Sequence, residues 1–270
     1  MKEPSEFLEF ALDLAKQAGK VQLQYFGAIS SVSRKSNDID LVTSADIESE
    51  KIIVARIKEK YPSHSIVTEE SEDCVENSEY TWIIDPLDGT TNFTHNLPIF
   101  AVSIALKHSS EIICGVVYNP AANKCFYAEK DKGAFLNGVA IHPTKSDSLS
   151  NCLLATGFPY LHDEKYDLSF SIFKDFYDST RGLRRLGAAA LDLCFVAMGR
   201  FDGFYEFNLN SWDICAGSII AHEAGCIVSD WDGSDLPHDG SRILCSNSKI
   251  HNEMIKILTN PEYSIFFNQP

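Results

Sequence analysis

The chain has 270 residues, 44% of them hydrophobic, and a formal net charge of −15. That length and apolar content supply a substantial core and exclude a disordered acidic protein. The charge repels nucleic-acid phosphates, which sets direct DNA or RNA binding aside, and an anionic small molecule would need a local cation to bind.

In chain order, Phe7, Phe10, Ala11, Leu14, Ala18, Val21 and Tyr25 recur at helical spacing and Gly27 follows as a stop, so residues 5–26 read as an amphipathic helix. A second helix is predicted over 45–60, with Thr43-x-x-Asp46 to cap its start and Pro62 beyond its end. Ser65-Ile66-Val67-Thr68 is a short strand leading into Glu69-Glu70. The apolar run Trp82-Ile83-Ile84 is a strand that ends in Asp85-Pro86-Leu87-Asp88-Gly89-Thr90, and 89–93 can start a short helix. From Phe100 to about Ile141 the segments AVSIAL, IICGVVYNP, KCFYAE and GAFLNG are punctuated by Gly, Asn and Pro, as hairpins are.

The second half alternates. CLLATGF, GLRRLG, FDGFYEF, CIVSDWDG and RILCSNS read as strands, and 164–178, 188–198, 212–224 and a segment from about 249 as helices. The pattern is mixed α/β in layers, a β-meander followed by βα alternation. With no repeat and no low-complexity linker, one domain over 1–270 is expected, built of two α/β halves, roughly 1–145 and 146–270.

The eight cysteines (74, 114, 125, 152, 194, 215, 226 and 245) include no C-x-x-C pair, which argues against a zinc ribbon or a thioredoxin-type site. Several, such as Cys114 and Cys194, sit in apolar runs and read as buried thiols. The N-terminus MKEPSEFLEF carries acids where a signal peptide carries basic residues, and no apolar run is long enough to span a bilayer. A cytoplasmic protein with no membrane partner is the expectation.

Asp85 and Asp88 stand where the apolar run ends. Pro86 lacks an N–H and Gly89 permits unusual dihedrals, so both carboxylates can point into one crevice at a strand end, where open α/β sheets place ligands. Two such charges ~4 Å apart repel by about 4 kcal/mol at an effective dielectric of 20. A bound cation removes that cost, and hard oxygen ligands select Mg²⁺, Mn²⁺ or Ca²⁺ over zinc. An isolated D-x-x-D-G-T is more often a plain acidic turn. Here Glu69-Glu70 closes a preceding strand in the same way, and Asp213 opens a helix directly after another strand. The amides of 89–93 would favour a phosphate oxygen at a helix start. Clustered carboxylates beside an anion cradle suggest phosphoryl chemistry.

WIIDPLDGTTNFTHNLPIFAVSIAL and WDICAGSIIAHEAGC resemble the two signatures of the inositol monophosphatase family, and DLVTSAD, IVTEES, GVVYNP, GAFLNG and RRLGAAALDLCFVAMGRFDGFYEF fall in family order between and before them. The likeness covers about residues 5–258. It implies an α/β, layered αβαβα sugar-phosphatase fold with mixed sheets sandwiched by helices. It implies a Mg²⁺-dependent, lithium-sensitive phosphomonoesterase with roughly two to three Mg²⁺ per site, Mn²⁺ being an acceptable substitute, and a homodimer. By resemblance Glu69, Asp85, Asp88 and Asp213 are metal carboxylates, and Leu87 gives a backbone carbonyl to metal. Thr90, held by Asp46 and near Glu69, orients the attacking water, so that Glu69, Thr90 and Asp46 are the catalytic group. Gly89 and Thr90 amides bind phosphate, with Lys35 nearby. Glu206 bonds substrate hydroxyls together with Asp88 and Asp213. Gly187, Ala188 and Ala189 line the sugar-like pocket, where Ala188 departs from the family's common Ser or Thr.

Blander readings stand beside these. Asp46 is equally a helix-capping acid, Glu206 a solvated strand-end acid and Lys35 a loop lysine. His222-Glu223 is no zinc motif, because Cys226 stands where the second histidine belongs. Arg184-Arg185 could grip phosphate but more often such a pair supports packing, and it is left out of the site. Trp212, Ile214, Ser218 and Ala221 read as helix core. The substrate is expected to be inositol monophosphate or a related sugar or polyol phosphate. Fructose 1,6-bisphosphate, histidinol phosphate and adenosine bisphosphate are alternatives within the superfamily. An aspartyl-phosphate phosphohydrolase is disfavoured, since that chemistry wants D-x-D-G-T and the spacing here is one residue longer. The non-enzyme alternative is a regulatory partner of a transcription complex, a role some family members hold.

Overall fold

A computed structural model describes residues 3–28, 32–34, 41–69, 71–73, 78–159 and 163–267; at 32–34, 41–42 and 72–73 it describes the backbone alone. Helix α1 (Glu6–Tyr25) starts where the Ser5 hydroxyl accepts the Leu8 amide, and it buries Leu8, Phe10, Ala11, Leu14 and Ala18. A short antiparallel hairpin, β1 (Val32–Arg34) and β2 (Leu41–Thr43), precedes α2 (Ser44–Lys60). The predicted Thr43/Asp46 capping box is formed, and Lys58 and Lys60 complement the helix's negative end.

Then come β3 (Ser65–Thr68), β4 (Glu72–Asp73), β5 (Tyr80–Asp88) and the five-residue α3 (Thr90–Thr94). The predicted meander follows as β6 (Ala101–His108), β7 (Glu111–Asn119), β8 (Lys124–Glu129), β9 (Ala134–Leu136) and β10 (Val139–Ala140). These strands form one sheet in the order β10-β9-β8-β7-β6-β5-β3-β4, antiparallel except where β3 lies parallel to β5.

The remaining chain alternates through β11 (Leu153–Thr156), α4 (Glu164–Ser179), β12 (Gly182–Arg184), α5 (Ala189–Ala197), β13 (Gly203–Phe207), α6 (Ser211–Ala224), β14 (Ile227–Ser229), β15 (Arg242–Ser246) and α7 (His251–Leu258). The second sheet runs β12-β11-β13-β15-β14, with β11 parallel to both its neighbours and β15 antiparallel to both of its own.

Side-chain alternation stacks these pieces into layers. Trp82 and Ile84 of β5 face α1 and α2, packing with Leu14, Ile53 and Ile57, all fully buried. Ile83, on the opposite face, joins Leu193 of α5 and Ile214 and Ile220 of α6. Phe204, Ile243 and Cys245 of the second sheet belong to that same cluster, so α5 and α6 lie between two sheets. The far face of the second sheet packs Leu154, Tyr205 and Leu244 against Ile172 and Phe176 of α4 and Met254 and Leu258 of α7. The resulting order is helix, sheet, helix, sheet, helix, as the family resemblance implies.

One expectation needs correction. β5 does not end at Asp85; it runs on to Asp88, with the pairing to β6 shifting register between Asp85↔Ser103 and Asp88↔Ala101. The short strands β1, β2 and β4 and the 3₁₀ turns Leu149–Asn151 and Pro261–Phe266 carry too little periodicity to be read from sequence. The seven described cysteines are all free and buried, as expected, and Cys74 lies outside the described residues. Among the described residues no helix is long and apolar enough to cross a membrane.

Candidate active site

Alternation along β5 puts Asp85 on the same face as Ile83, toward the middle layer where α5 and α6 begin. Ser103, directly across the ladder from Asp85, donates to the Trp212 carbonyl at 3.2 Å and so ties the start of α6 to this point of the sheet. The chain bulges there for a local reason. The Asp85 Oδ1 accepts the Leu87 amide at 2.8 Å, which takes that N–H out of the ladder, and Pro86 has none to give. The displaced Pro86 carbonyl accepts from the buried Gln22 side chain of α1 at 2.7 Å.

Beyond the bulge, Gly89 is left-handed (φ 88°, ψ 37°) and turns the chain into α3. The first bond of that turn runs from the Phe93 amide to the Gly89 carbonyl, so the amides before Phe93 have no partner within it. Asn92 fastens the segment, donating to the Ile99 and Leu186 carbonyls, each at 2.8 Å, and this brings the Gly187–Ala189 loop alongside.

Helix starts meet here. Ala188 caps α5 with no side-chain oxygen; instead Asp88, 102 residues away in the chain, accepts the Ala190 amide at 3.0 Å. Asp213 occupies the third position of α6 and accepts the Asn210 amide at 2.6 Å, a capping box like that of Asp46 in α2. The positive ends of α3, α5 and α6 thus converge on the acids and offset part of their charge.

The outcome is a cavity of about 440 Å³. Glu69, Asp85, Asp88 and Asp213 line it together with Leu87, Gly89 and Thr90; Gly187, Ala188, Ala189 and Glu206 form its other side. Asp46 is fully buried behind that wall. The Thr90 hydroxyl lies 3.1 Å from Asp46 Oδ1 and 3.0 Å from the Leu87 carbonyl, one proton between two acceptors. Asp46 Oδ2 holds the Thr43 amide and hydroxyl at 2.9 and 2.5 Å. Asp46 is therefore both the helix cap and the support of Thr90, two readings that the sequence left open. Lys35 lies outside the described residues.

Crowding four carboxylates in a low-dielectric pocket has an electrostatic signature. Burial, then the charges of Glu69, Asp88 and Asp213, hold Asp85 well above the ordinary carboxylate range. Burial and Asp213 push Asp88 up to about 8 despite the bond from Ala190. Burial likewise pushes Glu206 up to about 8, against the pull of Arg185. Asp192, 1% exposed on α5 with an unpartnered Oδ1, is raised by burial and by Glu206 and Asp88.

Such a donor set fits a hard divalent cation, which would turn repulsion into ligation. Among the described residues no three His, Cys, Asp or Glu side chains are arranged to hold an ion unaided. Glu69, Asp85, Asp88 and Asp213 would hold such an ion together with the Leu87 carbonyl, an all-oxygen set that suits Mg²⁺.

A pH dependence follows. Raised folded-state pKa values mean that the native protein holds protons which the unfolded chain gives up near 3.8. The stabilisation these acids lend is complete at low pH and is lost as pH rises toward about 8, the Asp88 value. Metal-free protein is expected to lose melting temperature across that window. Magnesium is expected to raise it more at the alkaline end and to release protons on binding. Thermal melts with and without Mg²⁺ over pH check this; an increment that shrinks with rising pH is the opposite result.

Two features of the wall lie outside the residues expected from sequence. Arg185 lines the cavity, whereas Arg184 bonds the Leu183 carbonyl at 3.0 Å. The RR pair before Gly187 was the available signal, but spacing alone does not say which arginine turns inward. The Gly157-Phe158-Pro159 segment also lines the cavity and had no chemical signal in it.

Two mixed sheets with a pocket in which carboxylates and helix starts meet define a phosphatase of the layered α/β class. The profile of the inositol monophosphatase family matches residues 3–261, and the chain belongs to that family. It is 41% identical over 253 residues to the inositol-1-monophosphatase of Synechocystis, covering 93% of this chain and 88% of that one. It is 40% identical over 248 residues to the Nus factor SuhB of Pseudomonas aeruginosa, covering 90% and 92%. The solved structure of extragenic suppressor protein suhB from Bartonella henselae superposes with a TM-score of 0.90 at 37% identity, covering 95% of this chain and 99% of that one.

Proposed function

We propose that the chain hydrolyses inositol monophosphate or a related polyol phosphate, with Mg²⁺ as the preferred metal. The observation that carries this reading is the meeting of Glu69, Asp85, Asp88 and Asp213, from three separate segments, around one cavity beside the amides of Gly89 and Thr90. Glu69, Asp85, Asp88, Asp213 and the Leu87 carbonyl would hold the metal. Bound there, a divalent ion offsets phosphate charge and lowers the pKa of water from 15.7 toward roughly 7.

The chain's own groups do the rest. Gly89 and Thr90 cradle the phosphoryl oxygens with their amides. The Thr90 hydroxyl, fixed by Asp46, orients the attacking water, and Glu69 accepts its proton. No covalent enzyme intermediate is needed. Glu206 and the Gly187–Ala189 loop receive the hydroxyl-bearing end of the ester. Ala188 offers no hydroxyl there, so recognition falls to Glu206 with Asp88 and Asp213.

The test is phosphate release over a panel of polyol monophosphates, fructose 1,6-bisphosphate, histidinol phosphate and adenosine bisphosphate. Polyol monophosphates are expected to lead, with turnover abolished by chelator, restored by Mg²⁺ and inhibited by lithium. Turnover that survives chelation, or a bisphosphate favoured by more than about tenfold, would reject it. A second reading, a protein-partner role held alongside catalysis, is favoured by the similarity to a relative named as a Nus factor. Partner capture that persists in a catalytically dead Asp85→Asn variant would support that role. A homodimer is proposed with it, to be read by light scattering.

A further inference from the structure

We propose that Gly157 is a specificity-determining residue: its missing side chain is the space in which the Glu206 carboxylate sits at the hydroxyl end of the pocket. The proposal rests on the polyol-phosphatase reading above. β11 and β13 are parallel neighbours paired Leu154↔Gly203, Ala155↔Phe204 and Thr156↔Tyr205, so one step further along brings Gly157 beside Glu206. A Cβ added to Gly157 would fall inside the Glu206 carboxylate; the three atoms nearest to it are Oε1, Cδ and Oε2 of that one side chain.

The backbone does not explain the glycine. Gly157 is not among the residues of positive φ, so no left-handed backbone demands a glycine there, and the space beside it is what is special. Nor can the strand end readily draw back. Phe158, the next residue, stacks on Phe170 of α4 at 4.6 Å between ring centroids and packs on Phe173. The yielding part is Glu206, the far end of a flexible side chain. Burial disfavours its charge and the acids Asp213 and Asp88 add to that, while Arg185 favours the ionised form.

A methyl group at position 157 is therefore expected to move Glu206 and leave the phosphate end untouched. In Gly157→Ala, KM for inositol monophosphate is expected to rise about tenfold with kcat little changed, while kcat/KM for p-nitrophenyl phosphate, which has no hydroxyls, stays within about twofold. Glu206→Ala is expected to show the same split. In that background Gly157→Ala is expected to be silent, because the carboxylate it displaces is gone. A purely structural role for Gly157 would not produce that silence. Equal damage to both esters, or additive effects in the double variant, overturns the proposal. Should Gly157→Ala fail to fold while the double variant folds, the conflict with Glu206 is shown directly; failure of both overturns it. A wild-type enzyme with no preference for the hydroxylated ester would refute the polyol reading instead. The crystal structure of Gly157→Ala then decides on its own terms: Glu206 displaced supports the assignment, and Glu206 unmoved ends it.

Discussion

Asp85→Asn is expected to cut phosphate release by about 1,000-fold or more, roughly 4 kcal/mol of transition-state stabilisation, while making the metal-free protein harder to melt above neutral pH. The two effects have one cause. Asp85 is 2% exposed and faces Glu69, Asp88 and Asp213, so its negative charge is costly unless a cation shares the cavity. Asparagine keeps the shape and the Oδ1 that accepts the Leu87 amide at 2.8 Å, so the bulge survives. What is lost is the charge, and with it the ligand. Phosphate release and thermal melts on the same preparation check both halves. Retained activity would remove the metal reading, and an unfolded variant would show that the carboxylate serves the fold.

Gly89→Ala is expected to damage stability and turnover together. The left-handed backbone at Gly89 costs an L residue about 1–2 kcal/mol, and a Cβ there would stand 2.8 Å from the Ile99 carbonyl and 3.3 Å from the Ala188 Cβ. Overpacking of that kind adds about 1–3 kcal/mol. Relief requires shifting the 88–90 segment, the Ile99 backbone or the Gly187–Ala188 backbone, and the first and last of these carry the site. A displacement on the order of 1 Å is enough for a roughly 100-fold loss of turnover. Urea denaturation and phosphate release measure the pair of effects; an alanine variant with native stability and rate would show that the turn is permissive.

Much of this architecture is legible in the sequence, for physical reasons that differ along the chain. Helices α1, α2, α4 and α6 carry apolar periodicity or capping residues strong enough to place them within two residues of where they lie. The strand Ser65–Thr68 is matched to the residue, its β-branched Ile66, Val67 and Thr68 being strand formers. The acids were legible as chemistry: carboxylates at the ends of apolar runs need a reason to be there. What stayed hidden is what tertiary contact alone creates. β5 continues through its acidic bulge because Asp88 finds a partner in Ala101, a pairing no local signal encodes. Asp88 caps a helix a hundred residues away because Ala188 brings no oxygen of its own. Arg185 turns toward the cavity while Arg184 does not, and Gly157 acquires meaning only through the register of β11 on β13. Gln22 is a further case. A fully buried amide on an apolar helix face reads as an anomaly until the Pro86 carbonyl is seen to need a donor.

Phosphate-ester hydrolysis at this cavity requires that Glu69, Asp85, Asp88 and Asp213 hold cations together. Anomalous diffraction from crystals grown with Mn²⁺ and phosphate tests this most directly. Manganese peaks inside the cavity, bridging these carboxylates to phosphate beside Gly89 and Thr90, are the expected result. Manganese found only on the outer surface, with the cavity carboxylates hydrogen-bonded to one another and no phosphate among them, would contradict it.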